Sequence, residues 1–345
     1  MRPGAALLLS ALLAVPARSE TLPTPFGAPG PARPLSARPC PAPPSPVVSL
    51  QSQGFYTDAR ASIPDPARVA ADRDASRPLT EWLEALQRPT ERWVALRDPA
   101  EAACALALLH AWAEAGALLG AFNTQAAYHR KWTLAGAALA FLALRDAPAA
   151  PGHQARIAAW LAHVARAVRP PYDRPPPNRM PNSVQNNHVA WAGLALAAAG
   201  IAAGDRALLR DGMGYGRRFL AAVTPEGAHP QELSRGRMAL HYHLFALAPL
   251  AALSRLGAAA GERFSAEEAA ALDRLARFAL AQTRDSTRIA ALAGAPQGHL
   301  ADPARPWLAD GQGFEILGLA PEALAPFRPY RQRWLGGNAT LLWGR

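Results

Sequence analysis

The chain has 345 residues, half of them hydrophobic, enough for a sizeable core in one large domain or two modest ones. Its formal charge is +10, and Lys131 is the lone lysine among 36 basic residues. A GC-rich coding bias accounts for an arginine, alanine and proline load of this kind, but a field of one sign also concentrates a polyanion. Nucleic acid is set aside as a partner, because the aromatic residues do not interleave with basic ones as they do in single-strand binders.

Residues 1–19 read as a secretory signal peptide. Arg2 supplies the positive start, Ala5 to Val15 is apolar, and Ala17 or Ser19 offers a small residue for cleavage. The expected location is therefore periplasmic or secreted. The apolar run is too short to span a bilayer, and no later stretch approaches the length of a membrane helix, so no stable membrane insertion is expected. Residues 20–50 form a proline-rich leader, laid on the surface or left disordered, since proline lacks the N–H donor and fixes φ. Cys40 and Cys104 are a candidate disulfide tying this leader to a helix. Without a supporting His/Asp spacing they make a poor metal site.

Residues 51–345 read as one all-α domain. Asp65-Pro66 starts a helix that carries Leu79, Trp82, Leu83 and Leu86 on one face. Asp98-Pro99-Ala100-Glu101 is a second start, with a capping Asp and a first-turn Pro, and runs to about Leu119. Further helices are expected over 124–145, 154–168, 185–200, 205–222, 234–256, 266–284 and 311–318. Between the second and third of these, the proline-rich stretch 169–182 is expected to be non-helical. Val47 to Leu50 and Thr340 to Trp343 are the best strand candidates. Helices joined by short connectors imply antiparallel pairs, and a row of such pairs can close partly into a toroid with a central groove.

Two polar clusters interrupt the alanine-leucine background. Asn186-Asn187-His188 precedes Trp191 where a loop turns into helix. Asparagine there reads either as a cap or as part of a site that sets amide, imidazole and indole together. About fifty residues on, Glu232-Leu-Ser-Arg235-Gly-Arg237-Met238-Ala-Leu-His241-Tyr242-His243 follows. A seven-residue spacing puts Arg235 and Tyr242 on one helix face, about ten ångströms apart. Arginine grips a carboxylate with two parallel N–H donors, and a phenol beside a cation is suited to proton transfer. His241 and His243, two apart on a helix, do not face one another, so no metal is expected there. Tyr128-His129-Arg130-Lys131-Trp132 joins cations and aromatics, and residues 52–62, with Gly54 and Tyr56, read as a mobile loop.

These strings resemble the periplasmic mannuronate-specific alginate lyases. Asn186-Asn187-His188 with Trp191 is similar to that family's Asn-Asn-His-Ser-Tyr-Trp, and residues 232–243 resemble its Glu-Leu-x-Arg-x-x-Arg-Ala-Leu-x-Tyr-His. Arg130-Lys131-Trp132, Ala103-Cys104-Ala105-Leu106, Asp58-Ala59-Arg60-Ala61-Ser62 and Leu335-Gly336-Gly337-Asn338-Ala339-Thr340 also resemble family segments in the same order. The resemblance implies an incomplete (α/α) toroid and β-elimination on an acidic polyuronate, most of all mannuronate-rich alginate. Asn187 and Arg235 would neutralise the carboxylate at carbon 5, and His188 and Tyr242 would be the proton-transfer pair, with either as the base. Arg130, Lys131, Trp132, Trp191 and Tyr56 would line sugar subsites, residues 52–62 would form part of a lid, and no metal or organic cofactor would be required. A monomer is expected.

Four departures from the family pattern bear on the substrate. Val189-Ala190 stand where Ser-Tyr is usual, and Met238 where an arginine is usual. Gln53-Gly54-Phe55-Tyr56 differs from the usual lid string, and the loop 169–184 is unlike its counterpart. Two other readings compete. A glycoside hydrolase needs two carboxylates facing one bond, and Glu232 and Asp211 have no supporting constellation. A non-catalytic polyuronate-binding envelope protein would tolerate the changed residues.

Overall fold

A computed structural model describes residues 21–26, 39–150, 152–174, 184–300 and 304–344. The signal segment and residues 175–183 of the proline-rich loop lie outside the described residues. The body is helical: α1 Pro66–Leu96, α2 Pro99–Glu114, α3 Thr124–Ala143, α4 His153–Val168, α5 Pro170–Asp173, α6 Asn187–Ala203 and α7 Arg206–Leu220. Then follow α8 Pro230–Leu233, α9 Ala239–Ala259, α10 Ala266–Arg284, α11 Thr287–Ala293, α12 Gln312–Leu317, α13 Pro321–Leu324 and α14 Ala339–Trp343.

The starts are set by capping side chains that accept otherwise unpaired backbone N–H groups. Asp65, Asp98, Asn123, Asn186 and Asp205 cap α1, α2, α3, α6 and α7, and Ser265 with Glu268 forms a reciprocal capping box on α10. Asn123 does a second job. Its amide donates to Ser52 O at 2.7 Å and accepts from Ser52 N at 3.3 Å, fixing the base of the 52–62 loop to α3.

Helix α6 lies at the centre of the packing, against α3, α4, α7 and α9. It is apolar on every side and buried from Val189 to Ile201. A helix of this kind belongs inside a core rather than at a surface. Its approach to α7 is set by glycine. A Cβ on Gly212 would lie 2.5 Å from Gly193 O and 2.6 Å from Ala197 N, and one on Gly193 would lie 2.7 Å from Gly212 O. Elsewhere the core is aromatic: Trp82 stacks on Trp112 at 3.8 Å, and Trp160 meets Trp82 edge-on at 6.2 Å.

The leader is bound where it is described. Cys40 is disulfide-bonded to Cys104 on α2, Trp112 donates to Pro44 O, Leu118 and Gly120 donate to Val47 O and Val48 O, and Leu22 is buried.

Several expectations about elements are corrected. The helix over 234–256 is broken, because Gly236 at φ 54° and a 3₁₀ turn over Gly236–Met238 separate α8 from α9. The stretch from 169 opens with one helical turn, α5, since prolines at the first positions of a helix give up only N–H groups that would be unpaired anyway. Thr340 to Trp343 is helix, because Asn338 accepts from Leu341 N and caps α14. Val47 to Leu50 pairs with the chain before α3 only as a single bridge, Leu50 with Phe122. Among the described residues, a two-stranded ribbon of Arg331–Gln332 with Gly337–Asn338 was not anticipated.

Replacing Gly212 by Ala is expected to lower stability by about 1–3 kcal/mol, because the new methyl meets backbone that cannot retreat. Denaturant midpoints with an unchanged m-value check this.

Candidate active site

A cavity of about 1000 Å³ opens among α1, α3, α6, α9 and the 52–62 loop. His188, Arg235, Tyr242, Trp132, Trp191 and Tyr56 all line it. The described structure therefore draws both polar clusters to one place, by a route other than the expected one. Arg235 lies ahead of α9 in the broken segment, yet its guanidinium sits 3.6 Å from the centre of the Tyr242 ring. The bend at Gly236 folds the arginine back over the phenol instead of spacing the two along one face.

His188 is held from behind. Lys131 lies 3.0 Å from its Nδ1, and Tyr128 stacks on the ring at 3.8 Å. An ammonium only donates, so Nδ1 is the acceptor and the proton of the neutral ring sits on Nε2. Burial keeps this histidine well below its usual pKa, and the charges of Lys131 and Arg235 add to the effect. His188 thus presents an N–H donor rather than a basic lone pair.

Asn187 is fully buried and bound to Glu232. Its backbone N–H donates to Glu232 Oε1, and its Nδ2 lies 3.2 and 3.3 Å from the two carboxylate oxygens. Asn187 does not line the cavity as it stands. Arg235 remains charged. Burial opposes the charge, but Tyr242, Glu232 and Tyr56 around it raise its pKa.

The loop 52–62 covers these groups. The Tyr56 hydroxyl is hydrogen-bonded to the Tyr242 hydroxyl, and Arg235 donates to Arg60 O at 2.9 Å and to Ala61 O at 2.6 Å. Ala61 takes φ 49°, in the left-handed region, and the Asp58 carboxylate holds the turn by accepting from Ser62 N and Ile63 N. Burial, followed by the adjoining Tyr242, pushes the Tyr56 phenol well above its usual pKa.

Two expected subsite residues are elsewhere. Arg130 donates to Ala167 O and Gly120 O and lies over Phe122, and Lys131 is fully buried behind His188. Neither lines the cavity. Val189 and Ala190 are also fully buried in the core, so the loss of Ser-Tyr there takes no polar group from the cavity wall. Trp334, Phe245, Asp72 and His129 do line it and were not anticipated. Trp334 stacks on Trp132 at 4.4 Å, and Asp72 is bonded to His129, Gln125 and Ser52.

One family model, Alginate lyase, matches residues 49–289. A polysaccharide lyase of Stenotrophomonas maltophilia is 36% identical over 314 residues, covering 88% of this chain and 90% of its own. An alginate lyase of Pseudomonas putida is 31% identical over 320 residues, covering 87% and 84%. The chain belongs to the alginate lyase family. Among solved structures, a histidine-to-alanine variant of alginate lyase A1-III complexed with a tetrasaccharide superimposes with a TM-score of 0.74 at 24% identity, over 88% of this chain and 85% of that one. Alginate lyase A1-III from Sphingomonas species A1 gives 0.72 at 23% identity, over 88% and 86%. Both likenesses concern the fold, which is the (α/α) toroid expected.

In this alginate lyase family member, one group among the described residues has metal-ligand character: His241, His299 and Asp310, with donor atoms within 4.8 Å of one another. Asp310 is already engaged by Arg305 at 3.2 Å and by His299 at 3.5 Å. His243 is turned away, bonded to Ala239 O and accepting from His229 N.

Lys131→Met is expected to raise the pKa of His188, since a lowering charge is removed while burial stays. The fold should persist, because an apolar residue of similar length replaces a buried charge. The rate should fall about 10- to 100-fold as the Nε2–H tautomer loses its support. A histidine NMR titration alongside kcat checks both.

Proposed function

We propose that the chain cleaves the 1,4-glycosidic bond of alginate by β-elimination, with mannuronate blocks as the preferred substrate. Arg235 over Tyr242, beside His188, in one aromatic-walled cavity is the observation that carries this reading. Elimination needs the carbon-5 proton made acidic and then removed. Arg235, His188 Nε2–H and Asn187 supply the positive charge and donors for the uronate carboxylate, where enolate-like charge develops. Fixed donors in a water-poor site stabilise that charge more than water does.

The tautomer of His188 supports Tyr242 as the base. With Nδ1 taken by Lys131, the histidine has no free lone pair toward the substrate, and Tyr242 remains as the proton-transfer group. Acting as a phenolate, Tyr242 takes the carbon-5 proton, the electron pair forms the carbon 4–carbon 5 double bond as the carbon–oxygen bond at carbon 4 breaks, and the phenol so formed gives its proton to the leaving glycosidic oxygen, which regenerates the phenolate. One group can serve both atoms only when they lie on one face of the ring, as they do in mannuronate. That supports mannuronate over guluronate. Trp334, partly exposed and stacked on Trp132, offers an apolar surface for a sugar ring, with the fully buried Trp191 edge-on to it, and the loop 52–62 has to lift from Arg235 and Tyr242 for the polymer to enter. Every proton transfer in this scheme is carried by the chain's own side chains.

We further propose a periplasmic, monomeric protein. Residues 1–19 have the pattern of an export signal, and a Cys40–Cys104 bridge suits an oxidising compartment. Cell fractionation with N-terminal sequencing of the mature protein, and light scattering, test the two points. An unprocessed cytoplasmic chain would overturn the first.

With purified protein, polymannuronate should give rising ultraviolet absorbance from the unsaturated uronate, faster than polyguluronate or polyglucuronate. Tyr242→Phe should lower that rate by about 100- to 10,000-fold. New reducing ends without absorbance would mean hydrolysis, and binding with neither would mean a non-catalytic protein.

A further inference from the structure

Glu232 is a buried carboxylate that the elimination scheme does not use. It is fully inaccessible, on the single turn α8, and its main partner is Asn187. One carboxylate oxygen takes the Asn187 backbone N–H, and the amide Nδ2 spans both oxygens. The opposite amide atom, Asn187 Oδ1, is buried and makes no hydrogen bond. A buried acceptor left unpaired costs about 1–3 kcal/mol, so such an atom calls for an explanation.

The arrangement has two states. An ionised Glu232 only accepts, so it holds Nδ2 and leaves Oδ1 turned the other way. An oxygen lone pair would then meet any carboxylate brought to Asn187. A protonated Glu232 keeps the backbone N–H on one oxygen and donates from the other. Its O–H then suits Oδ1, and a half-turn of the amide satisfies that atom and points the two Nδ2 hydrogens outward. We propose that Glu232 is a positioning residue whose proton decides which end of the Asn187 amide is offered to the uronate carboxylate. This rests on the reading above that Asn187 meets that carboxylate.

The surroundings make both states reachable. Burial lifts the Glu232 pKa to about 7, against the pull of Arg235 and of the two Asn187 N–H groups. Arg235 is near in charge only, since its bonds go to Arg60 O and Ala61 O. From α9, His243 faces the backbone of His229; burial holds His243 at about 4 and His229 at about 3, so neither carries charge at neutral pH. From α11, Arg288 is exposed and paired with Glu226. An ionised Glu232 also offsets the charge of Arg235, so ionisation weakens both grips on the substrate in the same direction.

Glu232→Gln separates this from a structural role. Glutamine keeps the acceptor for Asn187 N and fixes a donor toward Oδ1, so it holds the amide in the substrate-facing state at every pH. The quantity to read is the ratio of kcat/KM, variant over wild type, on polymannuronate between about pH 5.5 and 9. Titrations common to both proteins cancel in that ratio. It is expected to be flat below about pH 6 and to rise towards tenfold per unit above about pH 7.5, with the wild-type loss falling mainly in KM. A ratio independent of pH overturns the proposal. A second measurement needs no variant of Glu232. In the wild type, the Asn187 side-chain NH₂ resonances, assigned by their loss in Asn187→Ala, should shift with a midpoint near pH 7. Resonances that do not move between about pH 5.5 and 8.5 overturn it as well. Absence of wild-type activity on every polyuronate would sink the lyase reading instead, and the NH₂ titration would still decide this one.

Discussion

A helix that is apolar on every side can offer polar chemistry only at its ends. Helix α6 is such a helix, enclosed by α3, α4, α7 and α9 and packed on α7 through glycine. Asn186, Asn187 and His188 occupy its first turn, where backbone N–H groups are free to be capped. The same burial that makes α6 rigid leaves these side chains nowhere to relax. Each must then be satisfied by a partner from another element: Glu232 from α8 for Asn187, Lys131 from α3 for His188. The site is precise because its polar groups are buried enough to be costly when misplaced.

The second consequence is electrostatic. Lys131 and Arg235 both raise the positive potential at His188, and burial already disfavours an imidazolium there. A neutral donor between two cations suits an anionic ligand, since its presence adds no further repulsion among the fixed charges. The charge of +10 over the whole chain acts at longer range, concentrating a polyanion and doing so less at high salt. On the proposed reading, the local field orients a carboxylate and the overall one brings it near.

Much of this was legible in the sequence because it depends on local rules. Capping residues, first-turn prolines and apolar spacing located most long helices, and the rare strings around Asn187 and Tyr242 contain His188, Arg235 and Tyr242, which the structure brings to one cavity. What was not legible is what tertiary placement decides. Arg235 and Tyr242 do meet, but through a bend at Gly236 that a uniform helical spacing does not anticipate. Arg130 and Lys131 have the composition of a sugar subsite, yet α3 turns them away from the cavity, to the backbone carbonyls of Ala167 and Gly120 and to the back of His188. Trp334 stands after the last long helix and reaches the cavity only because the 331–338 ribbon packs against α1 and α3. The sequence gives no periodic signal for such a residue. Val189 and Ala190 show the converse. A change beside a motif looks significant in one dimension, but their side chains point into the core.

The loop over the site follows the same logic of satisfaction. With the cavity closed, the Arg235 fork is filled by two backbone carbonyls and the Tyr242 hydroxyl by Tyr56. These are neutral acceptors. A uronate carboxylate is a charged one, and charge-assisted hydrogen bonds are roughly twice as strong. On the proposed reading, substrate entry exchanges the carbonyls on Arg235 for a stronger acceptor and frees the Tyr242 oxygen from Tyr56. On the same reading, the lid carbonyls stand where the carboxylate would, holding Arg235 in place by neutral acceptors that a charged one can displace.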